Sequence, residues 1–175
     1  TSGHMVLEQL IPAPGVSEDR VRDLLASFLC GMGADGSTAA ALTAACPPRA
    51  AFRCVETVPF SSQRKWSLAV LKSVGSVILG APERLLSGDA LTQAQERAAQ
   101  GLRVLALMES PELPGIQDGD AQLPAHRKPL ALLCLCDELR PQVRQTVEYF
   151  GREGVQLKVI SGDSPLTVSS VAKRA

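Results

Sequence analysis

The chain has 175 residues, 45% of them hydrophobic, which is enough for one moderate domain or one domain with an appendage. Its 18 basic and 18 acidic side chains give a formal net charge of zero, and aromatic residues make up only 3%. Nucleic-acid-binding modules need excess positive charge or aromatic stacking platforms, so the composition argues against nucleic acid as a partner. No apolar run reaches the ~18 residues that cross a bilayer, which predicts a soluble fragment.

Two further observations narrow the class of protein. Residues 1–5 resemble a cloning remnant and are set aside from the fold prediction, and no signal peptide is present. The cysteine count is odd and lacks metal-ligand spacing, which favours small buried hydrophobes over disulfides or zinc ligands. These cysteines are Cys30, Cys46, Cys54, Cys134 and Cys136.

The first three quarters of the chain predict helices around an antiparallel sheet. Ser17 caps a helix that ends at Gly31 and Gly33, and Pro47 stops a second, Ala-rich helix that starts at Gly36. Strands are predicted over 55–58, 66–71, 76–79 and 102–108, and helices from Pro82 and over 91–100. Together these elements predict an α+β fold with an antiparallel sheet flanked by helices.

The pattern changes after Pro129. Leu130 to Cys136 is a continuous apolar run, which is typical of a strand buried on both faces. A helix over 141–150, a second apolar strand over 155–160 and a helix from Pro165 follow. This order predicts a β-α-β-α piece of a parallel Rossmann-like sheet, too small to cover both of its own faces.

Polar residues follow both predicted strands of this piece. Asp137 and Arg140 follow the first strand, and Ser161, Gly162 and Asp163 follow the second. Groups at the carboxyl ends of parallel strands converge on a ligand crevice, where carboxylates suit Mg²⁺ and a hydroxyl beside a Gly and a helix start suits a phosphate. The alternative is that Asp137 and Ser161 merely cap helices.

The closing segment resembles the phosphorylation domain of the P-type cation-transporting ATPases, a haloacid-dehalogenase-type (HAD) fold. The resemblance is carried by Asp137-Glu138-Leu139-Arg140-Pro141 and by Ser161-Gly162-Asp163, where Ser161 replaces the family's usual Thr. Pro59 to Lys65, Gly80-Ala81-Pro82-Glu83 and Gly101 to Leu107 are similar to segments of the same family's nucleotide-binding domain, in the same order. The resemblance implies a nucleotide-binding domain over 6–129 and part of the phosphorylation domain over 130–175.

The resemblance also implies roles for single residues. Phe60 would stack on adenine, Lys65 would lie beside the nucleotide, and Arg103 would reach towards the phosphates, while Gly80 and Ala81 would let the backbone approach the ligand. The chemistry agrees in kind, because Phe offers a stacking face and Arg a forked donor array. The alternatives are core packing for Phe60 and solvated strand charges for Lys65 and Arg103.

Two departures from the family pattern weaken the expected site. Leu79 stands where the family has a Lys, and Ala39 stands where it has a Glu that contacts adenine. Asp35 or the Thr38 hydroxyl would substitute in part. We therefore expect a dissociation constant for ATP near millimolar, equivalent to about −4 kcal/mol.

The family's Asp-Lys-Thr-Gly-Thr phosphorylation motif and its Gly-Asp-Gly-x-Asn-Asp magnesium motif do not occur in this sequence. The resemblance thus implies an ATP- and Mg²⁺-dependent translocase as the parent, with this fragment monomeric and inactive alone. Its partners would be the remaining phosphorylation, actuator and transmembrane domains of the same chain, on the cytoplasmic side of a cell membrane. The sequence is most similar to a bacterial CtpE-type branch, which suggests calcium. The competing hypotheses are a soluble HAD-type phosphatase with a cap domain and a non-catalytic interaction module.

Overall fold

The computed structural model describes residues 2–33, 36–117, 120–162 and 165–175. The strands are β1 Met5–Pro12, β2 Cys54–Ser61, β3 Trp66–Leu71, β4 Gly75–Gly80, β5 Arg103–Ser110, β6 Gly115–Gln117, β7 Asp120–Gln122 and β8 Lys128–Asp137. The helices are α1 Glu18–Met32, α2 Gly36–Ala45, α3 Pro82–Leu85, α4 Gly88–Ala99, α5 Val143–Arg152 and α6 Pro165–Arg174.

Six strands form one sheet in the order β1-β8-β5-β4-β3-β2, and every neighbouring pair is antiparallel. The predicted antiparallel sheet flanked by helices is therefore confirmed. The remaining two strands, β6 and β7, form a small separate hairpin between β5 and β8. Among the described residues, none of the helices combines the length and the apolar character that a membrane crossing requires.

Helices and the hairpin cover both faces of the sheet, which explains why its central strands are apolar on both sides. On one face, α1 and α2 bury Leu24, Leu25 and Leu42 against the sheet. On the other face, α3, α4 and the hairpin segment cover Trp66 and Ile78. Because successive side chains of a strand alternate between faces, each central strand contributes to both clusters.

The residues at the two ends of α1 cap the helix as the sequence predicts. The Ser17 side chain accepts a hydrogen bond from the backbone N–H of Arg20, and Glu18 and Asp19 lie in the first turn, where the helix dipole favours acidic groups. At the other end, Gly33 adopts a φ of 77°, a left-handed conformation that a Gly reaches without steric cost. The apolar positions between these ends are buried on the sheet.

Strand β8 corrects the prediction of a parallel sheet from residue 130. It lies between β1 and β5, pairing Leu135 with Leu7 on one side and with Arg103 on the other, in both cases antiparallel. A continuous apolar run indicates that both faces of a strand are covered, but it does not indicate the direction of the neighbouring strands. The predicted boundary between 6–129 and 130–175 thus falls inside a strand of the main sheet.

The second strand predicted for the Rossmann-like piece is also wrong in this structure. Residues 155–160 form no strand, and their side chains are exposed. Within the part of the chain that the structure describes, no strand pairs with this segment to supply the backbone hydrogen bonds that a strand would need. The two predicted helices are present as α5 and α6, and α5 has no buried residue.

The N-terminal residues belong to the sheet, although the sequence prediction set 1–5 aside. Met5 is the first residue of β1 and lies opposite Asp137 of β8. Beyond that pair, the backbone N–H of Glu138 donates to the carbonyl of His4, and the N–H of Ser2 donates to the carbonyl of Glu138. This edge strand had no predicted counterpart.

All five cysteines are free thiols. Cys46, Cys134 and Cys136 are buried as predicted, whereas Cys54 is partly exposed and Cys30 is exposed, so the prediction of burial is wrong for Cys30. Burial raises the pKa of the Cys134 and Cys136 thiols, because the thiolate loses its hydration in an apolar surrounding.

Candidate functional site

The predicted nucleotide-binding residues and Asp137 lie at one end of the main sheet, which we call the Phe60 end. Strands β2, β4 and β8 finish there, and β1, β3 and β5 begin there, as the pairings of Ser61 with Trp66, Gly80 with Trp66, and Arg103 with Leu135 require. Phe60 is on β2 and Arg103 on β5, three strand positions away in the sheet order. That spacing corresponds to roughly 14 Å across the sheet.

The Phe60 ring is 63% exposed. This exposure rules out the alternative that Phe60 is an ordinary core residue, since core side chains are removed from water. The ring lies near the end of β2, an edge strand that pairs only with β3. The structure therefore presents a large aromatic face to solvent at the predicted site.

Lys65 occupies the turn between β2 and β3 with a φ of 63°, an uncommon left-handed conformation for a residue with a side chain. Its backbone N–H donates to the Ser61 carbonyl at 2.6 Å, which closes the turn. Its ammonium donates to the Glu83 carboxylate at 3.2 Å. The pKa of the Glu83 carboxyl is lowered by its own backbone N–H and by this ammonium, which favours the carboxylate form of Glu83.

Gly80 and Ala81 lie directly beside the Lys65 turn. The backbone N–H of Ala81 donates to the Lys65 carbonyl at 2.9 Å. A Cβ on Gly80 would lie 2.6 Å from the Trp66 Cβ and 2.7 Å from the Lys65 carbonyl oxygen. Close packing of neighbouring strands is thus sufficient to require Gly at position 80, and the structure brings Lys65, Gly80 and Ala81 together.

Arg103 is held on the α1 and α2 side of the sheet. Its Nη1 donates to the Thr38 hydroxyl at 3.1 Å and lies 3.7 Å from the Met5 thioether sulfur. The Ser37 hydroxyl donates to the same sulfur at 3.7 Å. The sequence-based reasoning proposed Thr38 as a substitute contact for adenine, but the structure places its hydroxyl against Arg103.

The structure shows the surroundings of Leu79 and Ala39, the two residues that depart from the family pattern. Leu79 is buried in the core cluster under α1 and α2, where an apolar side chain packs well. Ala39 lies half-buried in α2, next to Thr38. Asp35, the other predicted substitute contact, lies outside the described residues.

The predicted phosphate and magnesium residues are not gathered into one site by strand pairing. Asp137 ends β8, and its backbone carbonyl accepts a hydrogen bond from Arg174 at 3.3 Å. Arg140 is exposed in the loop that follows β8, and Ser161 and Gly162 are exposed in the coil before α6. Asp163 lies outside the described residues.

A cavity of about 470 Å³ lies away from the Phe60 end, between the C-terminal part of α1 and the start of β2. A second cavity of about 350 Å³ lies beside the Lys65 turn and is lined by Arg64, Trp66, Arg84 and the β7 strand. Its Arg64 guanidinium stacks over the Trp66 ring at 5.3 Å and pairs with Asp120.

The chain is similar in sequence to ATPases that transport cations. It is 35% identical over 176 residues to a probable cation-transporting ATPase, exp7, of Streptococcus pneumoniae, and 33% identical over 159 residues to the calcium-transporting ATPase CtpE of Mycobacterium tuberculosis. These alignments cover 100% and 90% of this chain but only 22% and 19% of the relatives. The chain thus spans about a fifth of the length of these relatives.

The fold is also similar to a solved structure. A zinc-transporting PIB-type ATPase in its E2.Pi state superimposes with a TM-score of 0.73 at 18% sequence identity, covering 99% of this chain and 26% of the other. At that identity the similarity shows the fold alone. No protein-family model matches the chain.

Proposed function

We infer that this chain, which belongs to the P-type ATPases, is the nucleotide-binding part of a cation pump and binds ATP at the Phe60 end of its sheet. The observation that carries this proposal is the exposed Phe60 ring at the same end of the sheet as the Arg103 guanidinium. A base and a triphosphate need an aromatic face at one end and fixed positive charge at the other.

In this proposal the adenine stacks on Phe60, and the phosphates extend across the end of the sheet towards Arg103. Lys65 contributes a second positive charge beside the nucleotide, although Glu83 neutralises part of it. Arg103 is the stronger electrostatic contact, because its hydrogen-bond partners are uncharged. We expect weak binding, near millimolar, since no residue replaces the missing Lys at Leu79.

The chemistry of the pump would take place outside this part of the chain. An aspartate of the parent protein would attack the γ-phosphorus, forming an aspartyl-phosphate while the bond to the ADP oxygen breaks. Mg²⁺ would neutralise charge on the phosphates, and Asp137 supplies one carboxylate suited to it, while the other proposed carboxylate, Asp163, lies outside the described residues. We expect no ATP hydrolysis by this chain alone.

We propose a domain division that takes account of β8. The nucleotide-binding domain then includes the whole antiparallel sheet, and the phosphorylation-domain segment comprises the chain after Asp137. The actuator, transmembrane and remaining phosphorylation domains would belong to the rest of the parent chain, with this part on the cytoplasmic side and monomeric. Calcium is the proposed ion, supported by the similarity to the CtpE relatives, which are calcium-transporting ATPases.

Nuclear magnetic resonance tests the nucleotide site directly. Titration with ATP should shift the backbone amide signals of Phe60, Lys65 and Gly80, while those of residues at the opposite end of the sheet, such as Val74, stay in place. Unchanged signals at the Phe60 end at several millimolar ATP would contradict the proposal.

The phosphatase alternative makes a different prediction. A phosphatase would release phosphate from an aryl phosphate in the presence of Mg²⁺, and Asp163→Ala would abolish that activity. The relatives are cation-transporting ATPases, which does not favour this alternative. We expect no phosphate release from either the wild-type chain or the variant.

A further inference from the structure

Two uncharged side chains, Met5 and Thr38, contact the Arg103 guanidinium, and Ser37 contacts the Met5 sulfur; we call these three residues the Arg103 cage. We propose that Thr38 is a positioning residue for Arg103, and that the neutrality of the cage leaves the guanidinium charge available to the phosphates of the nucleotide. This inference rests on the proposed function. It concerns residues to which the proposed function itself assigns no role.

The chemistry of the side chains determines which group donates and which accepts in each hydrogen bond of the cage. A guanidinium can only donate, so the Arg103 Nη1–H bond at 3.1 Å must use the Thr38 oxygen as its acceptor. The Thr38 hydroxyl hydrogen then points to the Met5 sulfur, 4.0 Å away, and the Ser37 hydroxyl donates to that sulfur at 3.7 Å. A thioether is a weak acceptor without a hydrogen to donate, so it suits a position faced only by donors.

The cage is assembled from elements that are distant in sequence. Met5 is the first residue of β1 and Arg103 the first residue of β5, and β8 lies between these two strands. Thr38 lies in the first turn of α2, which packs over β1. The guanidinium is therefore held above β8 at the Phe60 end, and its conformational freedom is reduced before any ligand arrives.

The charge of Arg103 distinguishes it from other arginines in the chain. Arg20, Arg22 and Arg64 each form an ion pair with a carboxylate. Within the described residues, no carboxylate forms an ion pair with Arg103. A hydroxyl and a thioether orient the guanidinium without cancelling its charge, which is the arrangement that an anion site requires.

The test compares binding of ATP with binding of adenosine, because only ATP presents phosphates to Arg103. We expect the wild-type chain to bind ATP more tightly than adenosine, and Thr38→Val to reduce that preference about twofold to tenfold, while adenosine binding is unchanged. Met5→Leu should reduce the preference less, since the thioether is the weaker acceptor. Thr38→Ser, which keeps the hydroxyl, should retain the wild-type preference.

Thr43→Val is the matched control, because Thr43 is on the same helix and its buried hydroxyl has no hydrogen-bond partner. It should leave the preference for ATP unchanged. Thr38→Asp separates a neutral cage from simple mechanical support: a carboxylate would hold Arg103 firmly but cancel its charge, so the preference should be lost. Urea unfolding of each variant verifies that the sheet remains folded.

The failure of this inference can be distinguished from the failure of the proposed function. If the wild type prefers ATP but Thr38→Val keeps that preference, Thr38 has no positioning role. If Thr38→Asp keeps the preference, the neutrality of the cage is not what leaves the Arg103 charge available. In both cases the inference fails and the nucleotide site stands. If the wild-type chain binds neither ATP nor adenosine, the proposed function is wrong and this inference fails with it.

Discussion

Phe60 and Gly80 show that residues at the same end of a sheet can be constrained by different physical requirements. Phe60 leaves most of its ring in water, which costs solvation free energy and contributes little to the core. Gly80 instead allows two strands to approach more closely than any side chain would permit. One residue can therefore be substituted to test binding, and the other to test packing.

Substituting Phe60 with Ala should affect binding rather than stability. The exposed ring makes few core contacts, so we expect the free energy of unfolding to change by about 0.5 kcal/mol or less. If adenine stacks on the ring, ATP affinity should fall by roughly 1–3 kcal/mol, the range for base–aromatic stacking. Calorimetric titration and urea unfolding of the same samples measure both quantities. A variant that keeps its affinity for ATP would contradict the stacking of adenine on Phe60.

Substituting Gly80 with Ala should destabilise the sheet. The new Cβ would meet Trp66 and the Lys65 carbonyl at distances that real Cβ atoms do not adopt, so β3 and β4 must separate. We expect a loss of about 1–3 kcal/mol in the free energy of unfolding. Gly151→Ala is the control, because Gly151 lies in α5 with no atom within 4 Å of the added Cβ, and there Ala should stabilise the helix. Equal effects at both positions would contradict the close-approach explanation.

Among the elements, the excursion between β5 and β8 is closed near its two ends by the Glu112 carboxylate. Glu112 accepts hydrogen bonds from the backbone N–H groups of Ala125 and His126 at 2.9 and 3.2 Å, and from the His126 imidazole. The Ser76 hydroxyl donates to the Glu112 carbonyl at 2.6 Å and joins the start of the excursion to β4. These contacts hold together the two ends of a segment whose polar composition by itself would predict only a loop.

The Glu112 contacts predict a pH-dependent contribution to stability. The His126 imidazole and the backbone N–H groups lower the pKa of Glu112 below its ordinary value of 4.5. A lowered folded-state pKa stabilises the fold above pH 4.5, and this contribution is lost as the pH falls through the folded-state value. Glu112→Gln should therefore unfold more easily than the wild type near pH 7, and the difference should shrink below pH 4.5.

Chemical unfolding at several pH values measures this effect. Glu96→Gln, which removes an exposed carboxylate on α4, is the control and should show no such convergence. A Glu112→Gln effect that is the same at pH 7 and at acid pH would contradict the carboxylate explanation.

For the whole molecule, the sheet and the chain after β8 differ in how well they are packed. The sheet has two covered faces, whereas Val155, Leu157, Val159 and Ile160 are exposed, Ile160 almost completely. A run of exposed apolar side chains indicates a surface that is covered by something else. This agrees with the proposal that the segment belongs to the phosphorylation domain of a longer chain.

Shortening the chain to residues 1–140 should therefore leave the sheet intact. No residue of α5 is buried, and α6 contacts the sheet through Arg174, which reaches the Asp137 carbonyl and Glu8. We expect the free energy of unfolding to change by about 1 kcal/mol or less, and binding of a hydrophobic dye to decrease. A marked loss of stability would show that the C-terminal segment is part of the core.

Most elements of the sheet, β1 excepted, could be predicted from the sequence because their signals are local. The Ser17 cap, the glycines that end α1, and the apolar runs of β3, β4 and β8 depend on near neighbours along the chain and on burial. The family could be predicted for a similar reason, since Pro59 to Lys65, Gly80 to Glu83 and Asp137 to Pro141 are short, ordered motifs. The resemblance to the same family likewise predicts nucleotide-binding roles for Phe60 and Arg103.

The tertiary structure alone decided the features that depend on which distant segments meet. A strand's composition reports burial but not the direction of its neighbours, so only the pairing of β8 with β1 and β5 showed that the sheet is antiparallel beyond residue 130. The exposure of Phe60, the close approach at Gly80 and the neutral Arg103 cage likewise arise from residues far apart in sequence. The sequence by itself determined the family and most elements, whereas contacts between distant strands and helices determined how its candidate site is arranged.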